Sequence, residues 1–295
     1  MADRVARTLS LDGTVRGLAA VTTGLVEEAR VRHGTLPTAT AALGRALTAA
    51  LLLAGTLKSD ERLSLEFSGN GPLRGILAEA NPDGDARGFV FRPRTHLPAR
   101  AGKLDVGGAL GAGVLCVIRV PLVEGVPYRS IVPLANGEIG SDVASYLARS
   151  EQVPSAVGVG VYVEASGQVA AAGGYLLQAM AGADQGAIDR LEANVAGAAT
   201  PSDLVRQGLG ASEMLMHLLA GLPTQVLEER PARFRCRCSR ERAVGATLAM
   251  GRAELLDVLA RERRAELVCE FCSARYVLEE EELRELVRAS GNGAA

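Results

Sequence analysis

The chain has 295 residues, with 32 Lys and Arg against 34 Asp and Glu, and aromatic rings make up only 3% of it. That length allows one substantial core plus a smaller module. With balanced charge and few rings, nothing in the overall composition announces the basic, stacking face of a nucleic-acid binder.

Met1-Ala2-Asp3-Arg4 leads into a polar, strand-like segment with no apolar stretch of the signal-peptide kind. The expectation is a cytoplasmic protein whose cysteines stay reduced. Across residues 1–178, strand-type runs such as Leu63-Ser-Leu-Glu-Phe67 and Val157-Gly-Val-Gly-Val-Tyr-Val163 alternate with helical ones. Helices are predicted over Thr23 to Arg32, Thr38 to Leu57 and Gly140 to Arg149. Turn signals such as Gly69-Asn-Gly-Pro72 and Asn81-Pro-Asp-Gly84 leave only hairpin-length connections. The fold class is therefore α+β, with a mixed but mostly antiparallel sheet and helices. The longest apolar run, Ala46 to Leu57, is too short for a membrane span of about 20 residues and reads as a core helix.

Residues 179–230 contain no convincing strand and read as a helical linker. Ile188, Leu191 and Val195 fall on one helical face, and Met214, Leu215, Leu218 and Leu219 form another. Gly182, Gly186, Gly197, Gly208, Gly210 and Gly221 keep these helices short, and helices below roughly 12 residues are marginal alone. The linker must owe its order to whatever it docks against.

Residues 231–290 form a small C-terminal module. Ser239 caps one predicted helix, Gly251 opens a second, and Val268, Tyr276 and Val277 suggest short strands. Glu279 to Glu282 reads as a solvated first helical turn. Four of the five cysteines lie here, as Cys236-Arg-Cys238 and Cys269-Glu-Phe-Cys272. Two tight thiol pairs separated by a single fold-back suit one tetrahedral Zn²⁺. So small a module has little apolar core, so removing the metal is expected to unfold it. Cys116, inside Val114-Leu-Cys-Val-Ile118, reads as a buried apolar residue, and His33, His96 and His217 are surplus to a filled zinc shell.

Several roles fit such a site. It could be a structural zinc ribbon that binds nucleic acid or a protein partner. Residues 231 to 264 carry nine Arg against four acids, but residues 265 to 290 reverse the balance with seven Glu against three Arg. It could be a thiol oxidoreductase, although the CxxC pair does not open a helix after a βαβ unit. It could also be a redox switch whose oxidation ejects the metal. Gly108-Ala-Leu-Gly-Ala-Gly113 precedes a strand and reads as a plain turn, not a nucleotide loop. With no catalytic constellation in a recognisable motif, the chain does not read as an enzyme.

Phe234-Arg-Cys-Arg-Cys-Ser-Arg-Glu-Arg242 and Cys269-Glu-Phe-Cys-Ser-Ala-Arg-Tyr276 resemble the zinc segment of the bacterial 33 kDa chaperonin family of redox-regulated heat-shock chaperones. Gly69-Asn-Gly-Pro72, Tyr128-Arg-Ser-Ile-Val-Pro-Leu134, Tyr146-Leu-Ala-Arg-Ser-Glu-Gln-Val-Pro154 and Ala172-Gly-Gly-Tyr-Leu-Leu-Gln178 extend the resemblance across the chain, in order. The resemblance implies a chaperone core (1–178), a meltable linker (179–230) and a zinc-binding redox switch (231–290). It further implies a cytosolic, ATP-independent holdase for unfolded or oxidatively damaged proteins, one that binds neither nucleic acid nor membrane. The reduced form would hold one zinc through Cys236, Cys238, Cys269 and Cys272 and be inactive. Oxidation would pair Cys236 with Cys238 and Cys269 with Cys272, release the zinc and give an active form that commonly dimerises. Arg235 and Arg237, beside the first thiols, are expected to favour their thiolate forms.

Overall fold

Strand β1 (Arg4–Ser10), in which buried and open positions largely alternate, pairs with β2 (Val15–Val21), which is buried along most of its length, and α1 (Thr23–His33) follows. That helix stops at Gly34, where φ is +59°, a left-handed cap that glycine adopts without strain. Pro37 then opens α2 (Pro37–Ala54), where its fixed φ and missing N–H cost nothing. The computed structural model that reveals these elements describes residues 2–58, 61–122 and 125–290. Its chain divides into two units, Met1–Arg235 and Cys236–Ala295.

In the first unit the order continues with β3 (Glu61–Gly69), β4 (Gly75–Ala80), β5 (Asp85–Val90), α3 (Val106–Leu110), β6 (Gly113–Pro121), β7 (Tyr128–Pro133) and α4 (Gly140–Tyr146). Next come β8 (Ser155–Val163), β9 (Val169–Ala179), α5 (Gln185–Gly197), α6 (Pro201–Arg206), α7 (Ala211–Leu218), β10 (Thr224–Pro231) and β11 (Arg233–Phe234). One sheet has the strand order β10-β1-β2-β9-β8, and the other β11-β5-β4-β3-β6-β7. Every pairing is antiparallel except the two-residue β11–β5 contact, which is parallel.

Helix α2 packs against strands of both sheets and buries 16 of its 18 residues. By length and composition it could cross a membrane, but its burial inside the protein identifies it as a core helix. Small side chains make the fit possible: a Cβ on Gly44 would lie 2.5 Å from a methyl of Val26. The helix ends at Ala54, three residues short of the predicted Leu57. The predicted Gly140 to Arg149 helix is α-helical only to Tyr146 and continues as a π turn, Leu147–Glu151. That turn lets Glu151 accept hydrogen bonds from Arg119 and from the Tyr146 hydroxyl.

Helices α5–α7 cover the sheet face that presents Ala6, Val15, Ala19, Val21, Ala171, Tyr175 and Leu177, and they bury Leu191, Leu204, Met214, Leu215 and Leu218 against it. As expected for such short helices, their order comes from docking. One expectation fails here, because residues 179–230 do contain a strand. Strand β10 pairs with β1 from Ser10↔Thr224 to Arg4↔Pro231. Its side chains are mostly solvent-exposed, so the hydrophobic alternation that marks a half-buried strand is absent from its sequence.

The second unit comprises α8 (Arg240–Leu248), α9 (Arg252–Arg261), the hairpin β12 (Ala265–Val268) and β13 (Arg275–Leu278), and α10 (Glu280–Ala289). Its buried core is Leu255, Leu278, Leu283 and Val287.

Candidate metal centre

Cys236 and Cys238 lie in the extended segment before α8, and Cys269 and Cys272 lie in the turn between β12 and β13. Both segments are held by local hydrogen bonds. Ser239 caps α8 by accepting from the Arg242 amide, and the Arg242 guanidinium donates to the Arg237 carbonyl at 2.9 Å. In the hairpin turn the Cys269 carbonyl accepts from the Ser273 amide at 2.7 Å, while the Cys269 amide donates to the Ala274 carbonyl. Ser273 adopts a φ of +57°, which turns the chain back so that both sulfurs face the same side. Arg240 ties the two halves together by reaching Glu282 at 2.6 Å and the Val277 carbonyl. Glu282 is thus an ion-pair partner as well as part of the acidic first turn of α10, and the expectation of a merely solvated turn is corrected to that extent.

None of the four cysteines is in a disulfide, and their sulfurs lie within 4.8 Å of one another. Sγ of Cys236 is 3.7 Å from that of Cys269, and Sγ of Cys238 is 3.3 Å from that of Cys272. Four sulfurs at about 2.3 Å from a tetrahedral Zn²⁺ would be separated by roughly 3.8 Å. The donor set is therefore close to the arrangement a metal requires. Burial raises the pKa of both Cys269 and Cys272, and neighbouring sulfurs add to it, Cys236 for Cys269 and Cys238 for Cys272. A divalent cation reverses that balance by making the thiolate the favoured form.

Tyr276, quoted in the sequence only as part of a motif, supplies a contact that the spacing does not announce. Its hydroxyl donates to Cys238 Sγ at 3.1 Å, and that bond pushes its own pKa up to about 12. Hydrogen bonds of this kind orient ligands and tune their basicity. Arg235 behaves differently from expectation, since its guanidinium is directed to Asp85 at 3.3 Å. Cys116 is buried in β6, where Arg129 donates to its sulfur, and it takes no part in the four-thiol group. His33 ends α1, His96 meets the Thr38 hydroxyl, and His217 rides on α7; none joins the thiols.

Comparison with known proteins places this architecture. Residues 3–279 match the family described as Hsp33 protein. The 33 kDa chaperonin of Symbiobacterium thermophilum is 48% identical over 290 residues, 98% of each chain. That of Bacillus subtilis is 42% identical, covering 96% of this chain and 98% of its own. The crystal structure of the Thermotoga maritima 33 kDa chaperonin superposes with a TM-score of 0.92 at 36% identity, over 99% of this chain and 100% of that one. The fold and the thiol site define a chaperone with a module whose four clustered cysteines could hold a metal ion. The chain belongs to the Hsp33 family.

Proposed function

We propose that this chain is a redox-regulated, ATP-independent holdase. Reduced, it holds one Zn²⁺ through Cys236, Cys238, Cys269 and Cys272 and is inactive; oxidised, it carries Cys236–Cys238 and Cys269–Cys272 disulfides, has released the metal and is active. Four cysteines outside any disulfide, converging in a module with a four-residue buried core, carry this reading. Bound zinc would hold the sulfurs as thiolates and contribute about 10 to 16 kcal/mol of apparent binding free energy to folding.

The oxidant is a peroxide. One thiolate attacks the O–O bond and becomes a sulfenic acid; its neighbour displaces hydroxide and closes the S–S bond. Each pair loses two electrons, and each hydrogen peroxide, taking up two protons, is reduced to two waters. A sulfur oxidised to the sulfenic acid no longer serves as a thiolate ligand, so the module loses the main support of its fold before the disulfides close. Helices α5–α7, with only short apolar faces to hold them, then undock and bare Met214, Leu215 and Leu218 and the sheet face beneath. Unfolded or oxidatively damaged proteins of the cytoplasm are the clients, and the active form is a homodimer.

Aggregation of an unfolded client is to be measured with reduced and peroxide-treated protein, with zinc release and amide exchange followed in the same samples. Suppression after oxidation, with lost protection across residues 179 to 286 and a folded core, supports the switch. A purely structural zinc module predicts that metal loss inactivates the chain; client binding that falls as those residues open would establish that instead.

A further inference from the structure

Strand β10 is an edge strand held largely by its backbone. Along Thr224–Pro231 nearly every side chain is exposed, and Val226 and Leu227 keep 49% and 44% of their surface in solvent. Bonds from the Leu11 amide to the Pro223 carbonyl and from the Ala232 amide to the Asp3 carbonyl close the ladder at its two ends. Side-chain ties are few: Arg4 approaches Glu229 at 3.8 Å, and Ser212 donates to Glu229. A bulge between Arg7 and Thr8 interrupts the register. Beyond β10 the chain is anchored differently, since Ala232 and Phe234 are buried and Arg32 stacks over the Phe234 ring. A ladder with little side-chain burial opens at low free-energy cost. This one lies between α7, which the switch releases, and Cys236, five residues past its end.

Beneath it β1 is fixed. Its other edge pairs with β2 from Arg4↔Val21 to Leu9↔Arg16, and Val5, Ala6, Thr8 and Ser10 are buried. Peeling β10 away would leave β1 as a rigid edge of unsatisfied N–H and C=O groups, a template for another extended chain. Loss of Glu228 and Glu229 would also leave Arg4 and Arg7 at this edge, favouring segments that carry acidic residues. β10 itself displays the mode of occupancy: extended backbone, antiparallel, with its side chains in solvent. Recognition through main-chain hydrogen bonds is tolerant of sequence.

We propose that the outer edge of β1, Arg4–Ser10, is a client-binding site that β10 occupies in the reduced protein, and that an extended segment of an unfolded polypeptide replaces β10 by strand addition after oxidation. This rests on the switch proposed above and adds where and how a client is held.

The test uses the whole chain and residue-resolved amide exchange. In an antiparallel sheet successive amides of β1 alternate between its two neighbours. After peroxide treatment the β10-directed amides of Arg4–Ser10 should lose protection by roughly tenfold or more, while the β2-directed amides keep theirs. Adding reduced, carboxymethylated α-lactalbumin, a permanently unfolded acidic chain, should restore the lost set. Protection of both sets after oxidation overturns the proposal, as does loss of both sets or failure of the lactalbumin to restore the first. Aggregation suppression in the same samples separates the two readings: absent suppression removes the switch itself, whereas suppression without recovery of the β1 amides removes only this site.

Discussion

Replacing Cys238 with serine tests the ligand assignment most directly. Cys238 Sγ sits 3.3 Å from Cys272 Sγ and accepts the Tyr276 hydroxyl at 3.1 Å. Serine puts a protonated, harder oxygen where a thiolate is needed. If about 10 to 16 kcal/mol is shared by four sulfurs, each accounts for about 2.5 to 4 kcal/mol, or roughly 10²- to 10³-fold in affinity. Titration of reduced protein against a chromophoric zinc chelator at neutral pH would read this directly. Tyr276→Phe keeps all four sulfurs and removes only the hydrogen bond, so its loss should be smaller, about tenfold. Cys116→Ser should bind zinc as the parent does. Unchanged affinity in Cys238→Ser, or lost zinc in Cys116→Ser, would refute the four-thiol assignment.

Disulfide connectivity reports when oxidation occurs relative to unfolding. In the folded module Cys236 Sγ lies 3.7 Å from Cys269 Sγ and Cys238 Sγ 3.3 Å from Cys272 Sγ, so crossed pairs are within reach, whereas in a melted module closing a loop within a pair is favoured over closing one of thirty residues by about 2 kcal/mol. Peptide mapping should find Cys236–Cys238 and Cys269–Cys272; mainly crossed pairs would mean that the module stays folded as it oxidises. Gly17 lies under α7, and a Cβ there would sit 2.7 Å from Thr8 Oγ1 and 2.9 Å from a Leu215 methyl. Gly17→Val should therefore weaken docking by about 1 to 3 kcal/mol and lower the oxidant dose needed for aggregation suppression; an unchanged dose response would argue against helix docking as the restraint. In the core, burial alone would raise the pKa of Glu151, but hydrogen bonds from Arg119 and Tyr146 outweigh it and hold the carboxyl below its usual range. A depressed folded pKa stabilises above the unfolded value of about 4.3 and loses that contribution as pH falls through the folded pKa. Glu151→Gln should cost about 1 to 2 kcal/mol at pH 7, given partial solvent screening, and the gap in urea midpoint from the parent should narrow below about pH 4. A gap that does not change with pH would assign the loss to packing.

The sequence by itself marked the four-thiol cluster, because cysteines separated by one and two residues keep the two sulfurs of each pair close wherever the rest of the chain runs. It determined the buried character of α2 for a similar reason: a helix of mostly alanine and leucine, with Arg45 its one charge, has no polar face to turn outward. Four positions were settled only by the tertiary structure. Strand β10 carries no hydrophobic alternation and is a strand solely because the edge of β1 satisfies its backbone. The π turn after Tyr146 sets Glu151 where Arg119 and the tyrosine hydroxyl reach it, and Arg119 lies 32 residues away in sequence. Tyr276 meets Cys238 across 38 residues, a proximity made by the fold-back of the hairpin. Arg235 turns to Asp85, 150 residues earlier, because β11 lies along β5. Local turns and apolar periodicity are written in neighbouring residues, whereas edge pairing and side-chain contacts between distant segments exist only once the chain has closed on itself.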